Sequence, residues 1–345
     1  MRRIILKILI IVLPMGLIVG CINFFVDPAN IFSGESYSNG IAAILSGGHN
    51  VDNISNFDER LLQVKMVQRL ITTPDICVLG SSRIWEIGSD FYPGKIVMNC
   101  GVPGATLDDV VSIVGLLDSL HHLPKEIIIN LDPFLVSENL NSDWHSLKDY
   151  HNYLLLKLNL PSDYSTPPHK YDKLLNLFSL NYFKGSCEFL IQGKSKHFED
   201  VGTARPTRYG KYFDGTIAYP EKFLHPDTSL TSILAKDMAA ESGFVRPDPN
   251  KIALLNKLLD YLAKNFVNVK LLLIPYHPEY YHYVQNHRAN LFDQYDQDFR
   301  KLAGEHKLSV TGNFDPTLLH INKNAFYDAY HLDKAHLKEL ILESK

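Results

Sequence analysis

The chain has 345 residues, 46% hydrophobic and 21% charged, with a formal net charge of −4. That composition excludes a disordered or low-complexity protein, and charge spread without basic blocks leaves no electrostatic footprint for nucleic acid. The four cysteines, Cys21, Cys77, Cys100 and Cys187, have neither metal-ligand spacing nor the density of a disulfide framework.

The first predicted element is the run from Ile4 to Val26, apolar apart from Lys7 and Asn23. It is long enough to cross a hydrocarbon core of ~30 Å as a helix. Arg2, Arg3 and Lys7 stand at its start, and no Lys or Arg follows it until Arg60. The positive-inside rule then predicts a single-pass anchor over residues 1–27, its N-terminus cytoplasmic and the rest exported to the extracytoplasmic (periplasmic) side. A cleaved signal peptide has a shorter apolar region and a small-residue cleavage site. The segment "IVGC" leaves open a lipoprotein anchored at Cys21, although the apolar run continues past it. Residues 28–55, rich in Gly, Ser and Asn, read as a stalk or surface loop. The amphipathic stretch "NFDERLLQVKMVQRLI" then predicts a leading helix that completes a 28–70 unit.

Five short apolar runs follow, each closed by turn residues: "DICVLG", "KIVMNCG", "EIIINLDP", "VKLLLIPYHP" and "KLSVTGNFDP". Helical periodicity lies between them, over Leu107–Leu120, Lys251–Phe266 and Ala289–His306. Strands alternating with helices predict an α/β fold with a three-layer, five-stranded parallel sheet. Such sheets bind ligands outside the carboxyl ends of their strands, so "GSSR", "NCGVPGAT", "LDPF" and "PYHPEYY" are predicted to share one rim. Residues 137–245 interrupt the alternation, dividing the α/β domain into parts 71–136 and 246–345. At that length they are an insertion, either a lid over the rim or a segment that merely packs.

Ser81 and Ser82 follow the first strand directly, where a serine ordinarily caps the next helix or helps bind an anion. A nucleophile needs in addition a base and donors for an oxyanion. Asp328 precedes His331 by three residues, a spacing that puts carboxylate and imidazole on one face and leaves the far ring nitrogen free to take a serine proton. Gly101 and Gly104, after the second strand, let the backbone approach a ligand closely and offer an unhindered N–H. After the fourth strand, Tyr276, Tyr280, Tyr281 and Tyr283 read as an aromatic platform for sugar rings or as packing, with His277 beside them. No HxH or HExxH spacing supports a metal, and no cofactor is expected.

In order and spacing these residues resemble the SGNH (GDSL-type) hydrolases over residues 75–136 and 246–345. The resemblance implies a flavodoxin-like sheet, Ser82 as nucleophile with Ser81 in place of the usual aspartate, Gly104 with the Ser82 N–H in the oxyanion hole, and Asp328–His331 completing a triad. Asn99 to Thr106 fits the second block. The third block departs: it should offer a side-chain amide, whereas this chain has Asp132, an acceptor when ionised, with Asn130 too early to match. Arg83 is a substitute donor, and Arg83, Asn99, Asp132, Tyr276 and His277 are the candidate substrate contacts. A Gly-Ser-Ser block, a missing third-block asparagine and "DPANIF" beyond an N-terminal anchor are similar to a membrane-anchored branch, that of alginate O-acetylation and teichoic-acid D-alanylation proteins. That likeness implies acyl transfer or removal on an envelope polysaccharide, with a membrane-bound acyltransferase as partner. Rival readings are a catalytically idle carbohydrate-binding or scaffold subunit, and a sulfate or phosphate binder at "GSSR".

Overall fold

The computed structural model describes residues 2–137, 144–162, 172–191, 193, 197–224, 246–288 and 291–342. The N-terminal part holds α1 (Arg2–Val26), α2 (Gly34–Ser46), the short strand β1 (Val51–Asp52) and α3 (Glu59–Val67). Next come β2 (Ile76–Leu79), β3 (Val97–Asn99), α4 (Leu107–Ser119), β4 (Glu126–Asn130) and α5 (Pro133–Val136). The insertion contains α6 (Lys148–Lys157), α7 (Asp172–Leu177), α8 (Leu180–Ile191), β5 (Glu199–Asp200), β6 (Gly210–Lys211), β7 (Ile217–Ala218) and α9 (Glu221–Leu224). The chain continues with α10 (Pro249–Lys264), β8 (Asn268–Leu273), α11 (Pro278–His287), α12 (Leu291–His306), β9 (Val310–Gly312) and α13 (Lys334–Leu342).

Strands β2, β3, β4, β8 and β9 pair in parallel in the order β3-β2-β4-β8-β9. Counted along the chain this is 2-1-3-4-5, the flavodoxin-like order, and the sheet reverses direction of growth at β2. The strands read as unbroken apolar runs because both faces are covered. Cys77, Leu79, Ile127 and Ile129 enter a core shared with α4, α6, α10 and α12, while Ile76, Val78 and Ile128 enter a second core shared with α13 and the 84–92 turn. That alternation is the period of two expected of a strand, and it makes the fold a three-layer α/β sandwich.

Residues 28–55 are not a stalk or loop: they contain α2, whose Ile41, Ala42 and Leu45 are fully or almost fully buried. The Gly/Ser/Asn flanks conceal a short apolar stripe that packs beside α3. The insertion is tied to the same region. A small antiparallel sheet of order β5-β1-β6-β7 joins Val51–Asp52 to residues 199–218. The Asp52 carboxylate accepts from the backbone N–H groups of Thr207 and Arg208. Lys211, fully buried, donates from Nζ to Glu59 Oε1 at 2.7 Å and to the Gly215 carbonyl at 2.8 Å. The same segment covers the open edge of the main sheet, Asn99 N–H donating to the Asp214 carbonyl at 2.8 Å.

Helix α1 is 25 residues long. Among the described residues, however, no helix is long and apolar enough to cross a membrane, and the side chains of residues 2–12 lie outside that description.

Candidate active site

The site forms where β2 ends, at the point of reversed sheet growth. Gly80 makes the exit: it has φ +150°, and a Cβ there would stand 2.8 Å from Asn130 Cβ on β4. A one-turn 3₁₀ helix, Ser82–Ile84, follows at once. Ser81 takes the capping role, its Oγ accepting from the Arg83 N–H at 3.4 Å. Ser82 is left with its Oγ 2.9 Å from His331 Nε2.

His331 reaches that position because the loop 325–333 is closed on itself. Asp333 N–H donates to the Ala325 carbonyl, Tyr327 N–H donates to the His331 carbonyl, and Phe326 bridges Leu332. Within the loop His331 Nδ1 lies 2.7 Å from Asp328 Oδ2 and 2.9 Å from Oδ1. Asp328 Oδ1 also accepts from the N–H groups of Tyr330 and His331, each at 2.8 Å. Burial pushes the Asp328 carboxyl up, but the His331 hydrogen bond and charge together with the two backbone donors outweigh it, so the group sits below the usual carboxylate range. An ionised Asp328 takes the Nδ1 proton as its hydrogen-bond donor, which leaves Nε2 as the acceptor facing Ser82 Oγ–H. Asp328, His331 and Ser82 thus stand in one hydrogen-bonded line, and the structure brings these three expected residues together.

The fourth, Gly104, lies on an exposed turn with φ +55° and open space where a Cβ would be. Arg60 steadies that turn: Nη2 donates to the Pro103 carbonyl at 3.1 Å, while Nε and Nη2 grip Asp109 at 2.6 and 3.1 Å. Asp109 in turn closes the capping box with Thr106.

The five expected substrate contacts are placed otherwise. Arg83, Asn99, Asp132, Tyr276 and His277 are all under 5% exposed, and, the buried His277 Nε2 apart, their polar atoms bond inward. Arg83 Nε donates to the Tyr330 carbonyl at 3.0 Å, Nη2 to the Ile274 and Pro275 carbonyls at 2.7 and 2.6 Å, and Nη1 to Asp132 Oδ2 at 3.1 Å. Its guanidinium carbon lies 3.9 Å from the Tyr276 ring centroid. With that set satisfied, Arg83 is no oxyanion donor. It is a brace, fastening the serine turn to the ends of β4 and β8 and to the residue preceding His331. Asp132 is likewise committed, accepting from the Tyr276 hydroxyl at 2.8 Å. Asn99 Nδ2 donates to the Ile84 and Ile87 carbonyls at 2.6 and 3.0 Å, fixing the stretch after Ser82. His277 Nδ1 accepts from the Glu279 N–H and caps α11, its Nε2 buried. Asn130 Nδ2 donates to the Leu272 carbonyl between strands. The tyrosine platform is not formed either: Tyr276, Tyr280 and Tyr281 are buried, and Tyr283 stacks on His287.

What borders the line instead is a group that sequence reasoning missed. Tyr219 and Phe223 stack at 4.3 Å, Tyr327 meets Phe223 at 5.4 Å, and Phe223 lies edge-on to the His331 ring at 6.4 Å. The Tyr327 hydroxyl bonds to Glu86, whose carboxyl is pushed up to about 7, by burial first, against the lowering influence of Lys334 and Tyr327. Glu86 stands four residues after Ser82 and Tyr327 four before His331, a spacing signal present in the sequence. Phe223, deep in the insertion, carries no such signal. Among the described residues no group of three or more His, Cys, Asp or Glu side chains is arranged to hold a metal ion.

Fold and site define an α/β protein with a Ser–His–Asp line at the carboxyl edge of a parallel sheet. No protein-family model matches the chain, and no curated protein is found similar to it.

Proposed function

We propose that the chain is a membrane-anchored, extracytoplasmic serine-dependent acyl-ester enzyme of SGNH type, which transfers or removes O-acyl groups, acetyl above all, on an envelope polysaccharide. The observation that carries the reading is the unbroken line Asp328–His331–Ser82, with contacts of 2.7 and 2.9 Å. A capping serine needs no imidazole, and an anion site needs no carboxylate behind one.

In this reading Ser82 Oγ attacks the ester carbonyl while His331 Nε2 takes its proton. Asp328 holds the ring and stabilises the imidazolium. The oxyanion lies against the N–H groups of Ser82 and Gly104. Collapse breaks the bond to the alkoxide, which leaves with the proton from His331, and an acyl-serine remains. Water or a sugar hydroxyl then attacks, returns a proton through His331 to Ser82, and leaves as acid or new ester. Only that second acceptor separates hydrolase from transferase. The half-exposed rings of Phe223 and Tyr327 border the side of His331 on which an acceptor sugar would approach. Helix α1 serves as the single-pass anchor with a cytoplasmic N-terminus, and a membrane-bound acyltransferase is the natural acyl donor.

One observation favours a second reading, that of an idle carbohydrate-binding scaffold subunit: Asp132, where an amide donor is expected, is locked to Arg83 and Tyr276. A fluorophosphonate probe decides between them. Labelling of the full chain that is lost in Ser82→Ala, with turnover of a soluble acetyl ester lost alongside, supports the enzyme. A folded wild-type protein that takes no label is the scaffold.

A further inference from the structure

The α7–α8 hairpin of the insertion carries an apolar surface with no counterpart in the core. Leu175, Phe178, Leu180, Leu190 and Ile191 are each more than half exposed, Ile191 at 84%. On α8 they share a sector: positions 180, 183, 187, 190 and 191 follow helical spacing, while Asn181, Lys184 and Glu188 line the neighbouring sector. Apolar side chains exposed together on one sector mark a contact with something apolar.

The hairpin's own packing says what that is. It lies along α1, and Ser186, on the buried side of α8, bonds to Asn23. Asn23 is the one polar side chain between Lys7 and Asp27 apart from the thiol of Cys21. Its amide donates to the carbonyls of Leu177 and Ser179 at 2.9 and 3.1 Å, and its carbonyl accepts from Ser186 Oγ at 3.2 Å. A polar group in hydrocarbon demands such internal partners. The faces of α1 turned away from the hairpin remain apolar and open, with Leu13, Met15, Leu17, Ile18 and Phe25 more than half exposed. Four residues on, the polarity changes: Asp27 accepts from the N–H groups of Ile31 and Ser33 and from the Tyr182 hydroxyl at 2.7 Å. Residue 182 therefore stands level with 27, and 186 with 23, so α8 runs antiparallel to α1. At 1.5 Å per residue, Leu190 and Ile191 lie ~12 Å beyond the Tyr182 level, toward the N-terminal half of α1.

We infer that the α7–α8 hairpin is a lipid-contact element, its apolar sector sunk into the outer leaflet of a phospholipid bilayer beside α1, with Asp27 and Tyr182 at the headgroup boundary. The inference rests on the anchored reading of α1 and adds a second contact, from a segment some 150 residues away. Because α8 runs along α1 and not in the plane of the interface, Leu190 and Ile191 reach ~12 Å past the Asp27–Tyr182 level, within the ~15 Å depth of one leaflet. Lys184, ~3 Å past the Tyr182 level, pairs with Glu188 one turn further on, and its long side chain can reach back to the headgroups.

The test uses the full chain with Cys21→Ser and Cys187→Ser, since Cys77 and Cys100 are buried. Single cysteines are placed by Phe25→Cys, Ile191→Cys, Lys184→Cys or Leu318→Cys, the last an exposed site beside the far sheet edge at β9. Each carries a polarity-sensitive fluorophore, and the protein is reconstituted into phosphatidylethanolamine–phosphatidylglycerol vesicles with brominated acyl chains. The expected result is blue-shifted emission and at least twofold quenching at positions 25 and 191, with a smaller effect at 184 and none at 318. Quenching at 25 with position 191 no different from 318 overturns the inference and leaves the anchor standing. Quenching at 191 without 25 removes the anchor and overturns the inference too, because the placement of the hairpin in the leaflet depends on α1 beside it. Quenching at neither position ends both.

Discussion

Replacing Asp132 by alanine tests the brace behind the site. Asp132 and Arg83 are each almost wholly buried, at 1% and 2% side-chain exposure. The substitution leaves the guanidinium with its three carbonyl partners but no counter-charge, and leaves the Tyr276 hydroxyl without its acceptor. Breaking a buried pair from one side costs about 3–5 kcal/mol, and losing the Tyr276 hydrogen bond about 0.5–1.5 kcal/mol. The two losses share a cluster and do not add in full, so a net loss of about 4 kcal/mol is the working figure. At about 2–4 °C per kcal/mol for a chain of this order of size, the melting temperature falls by roughly 8–16 °C. Circular dichroism on the purified protein reads it. The double substitution Arg83→Met with Asp132→Leu removes both charges and recovers at least half of the loss. Because Arg83 also bonds the carbonyl of Tyr330, next to His331, fluorophosphonate labelling at a permissive temperature slows in the single variant before the fold is lost. A melting temperature within 1 °C of the parent would refute the brace.

Asp328→Asn keeps the shape of the loop but loses the carboxylate that selects the His331 tautomer, and ester turnover drops by about 10⁴. Asp328 also adds an acid-sensitive share of stability. Its carboxyl is depressed in the fold, so that share is present above about 3.8 and is lost as pH falls through the folded value. The difference in melting temperature between parent and Asp328→Asn should accordingly shrink in acid; a gap that is constant from pH 6 to pH 3 contradicts the assignment. Glu86 works in the opposite sense. Its raised folded value means that stability present below the ordinary 4.5 is lost as pH rises through about 7. Glu86→Gln, free of that penalty, gains on the parent between pH 5 and pH 8, by at most about 3.5 kcal/mol at about 1.4 kcal/mol per unit. Equal pH profiles for the two melting curves would count against a buried acid. Gly80→Ala puts a methyl 2.8 Å from Asn130 Cβ at φ +150°, and is expected to cost about 2–3 kcal/mol in chemical denaturation; a neutral result would mean that β2 and β4 part easily.

The strands of the main sheet are legible in the sequence because a strand covered on both faces must be apolar at every position. "ICVL" and "EIIIN" admit few other readings once turn residues bound them. Asp328 and His331 are legible as a pair because three residues is a local distance. That Ser82 lies beside them is legible only through the parallel order of strands far apart in the chain. The polar residues around the site are the ones that sequence misassigns. Arg83 next to a serine reads as a cation facing substrate, and nothing local reveals that three backbone carbonyls from distant segments converge on it. Tyr276 and Tyr280, spaced by four, look like a platform, but that spacing belongs equally to the buried face of a helix start. Helix α2 is hidden by its flanks, five apolar residues among glycines and serines. Phe223 has no neighbour in sequence to announce it and is found only by where the insertion folds.

The antiparallel sheet shared by residues 51–52 and 199–218 makes the insertion harder to remove than its place between two α/β halves implies. Excising residues 137–245 would expose β1 on both sides and strand the Glu59 carboxylate without Lys211. A minimal version of this protein is therefore not obtained by splicing the two halves together. Any chimera that exchanges the inserted segment must exchange residues 50–63 with it, so two stretches widely spaced in the gene travel as one heritable unit.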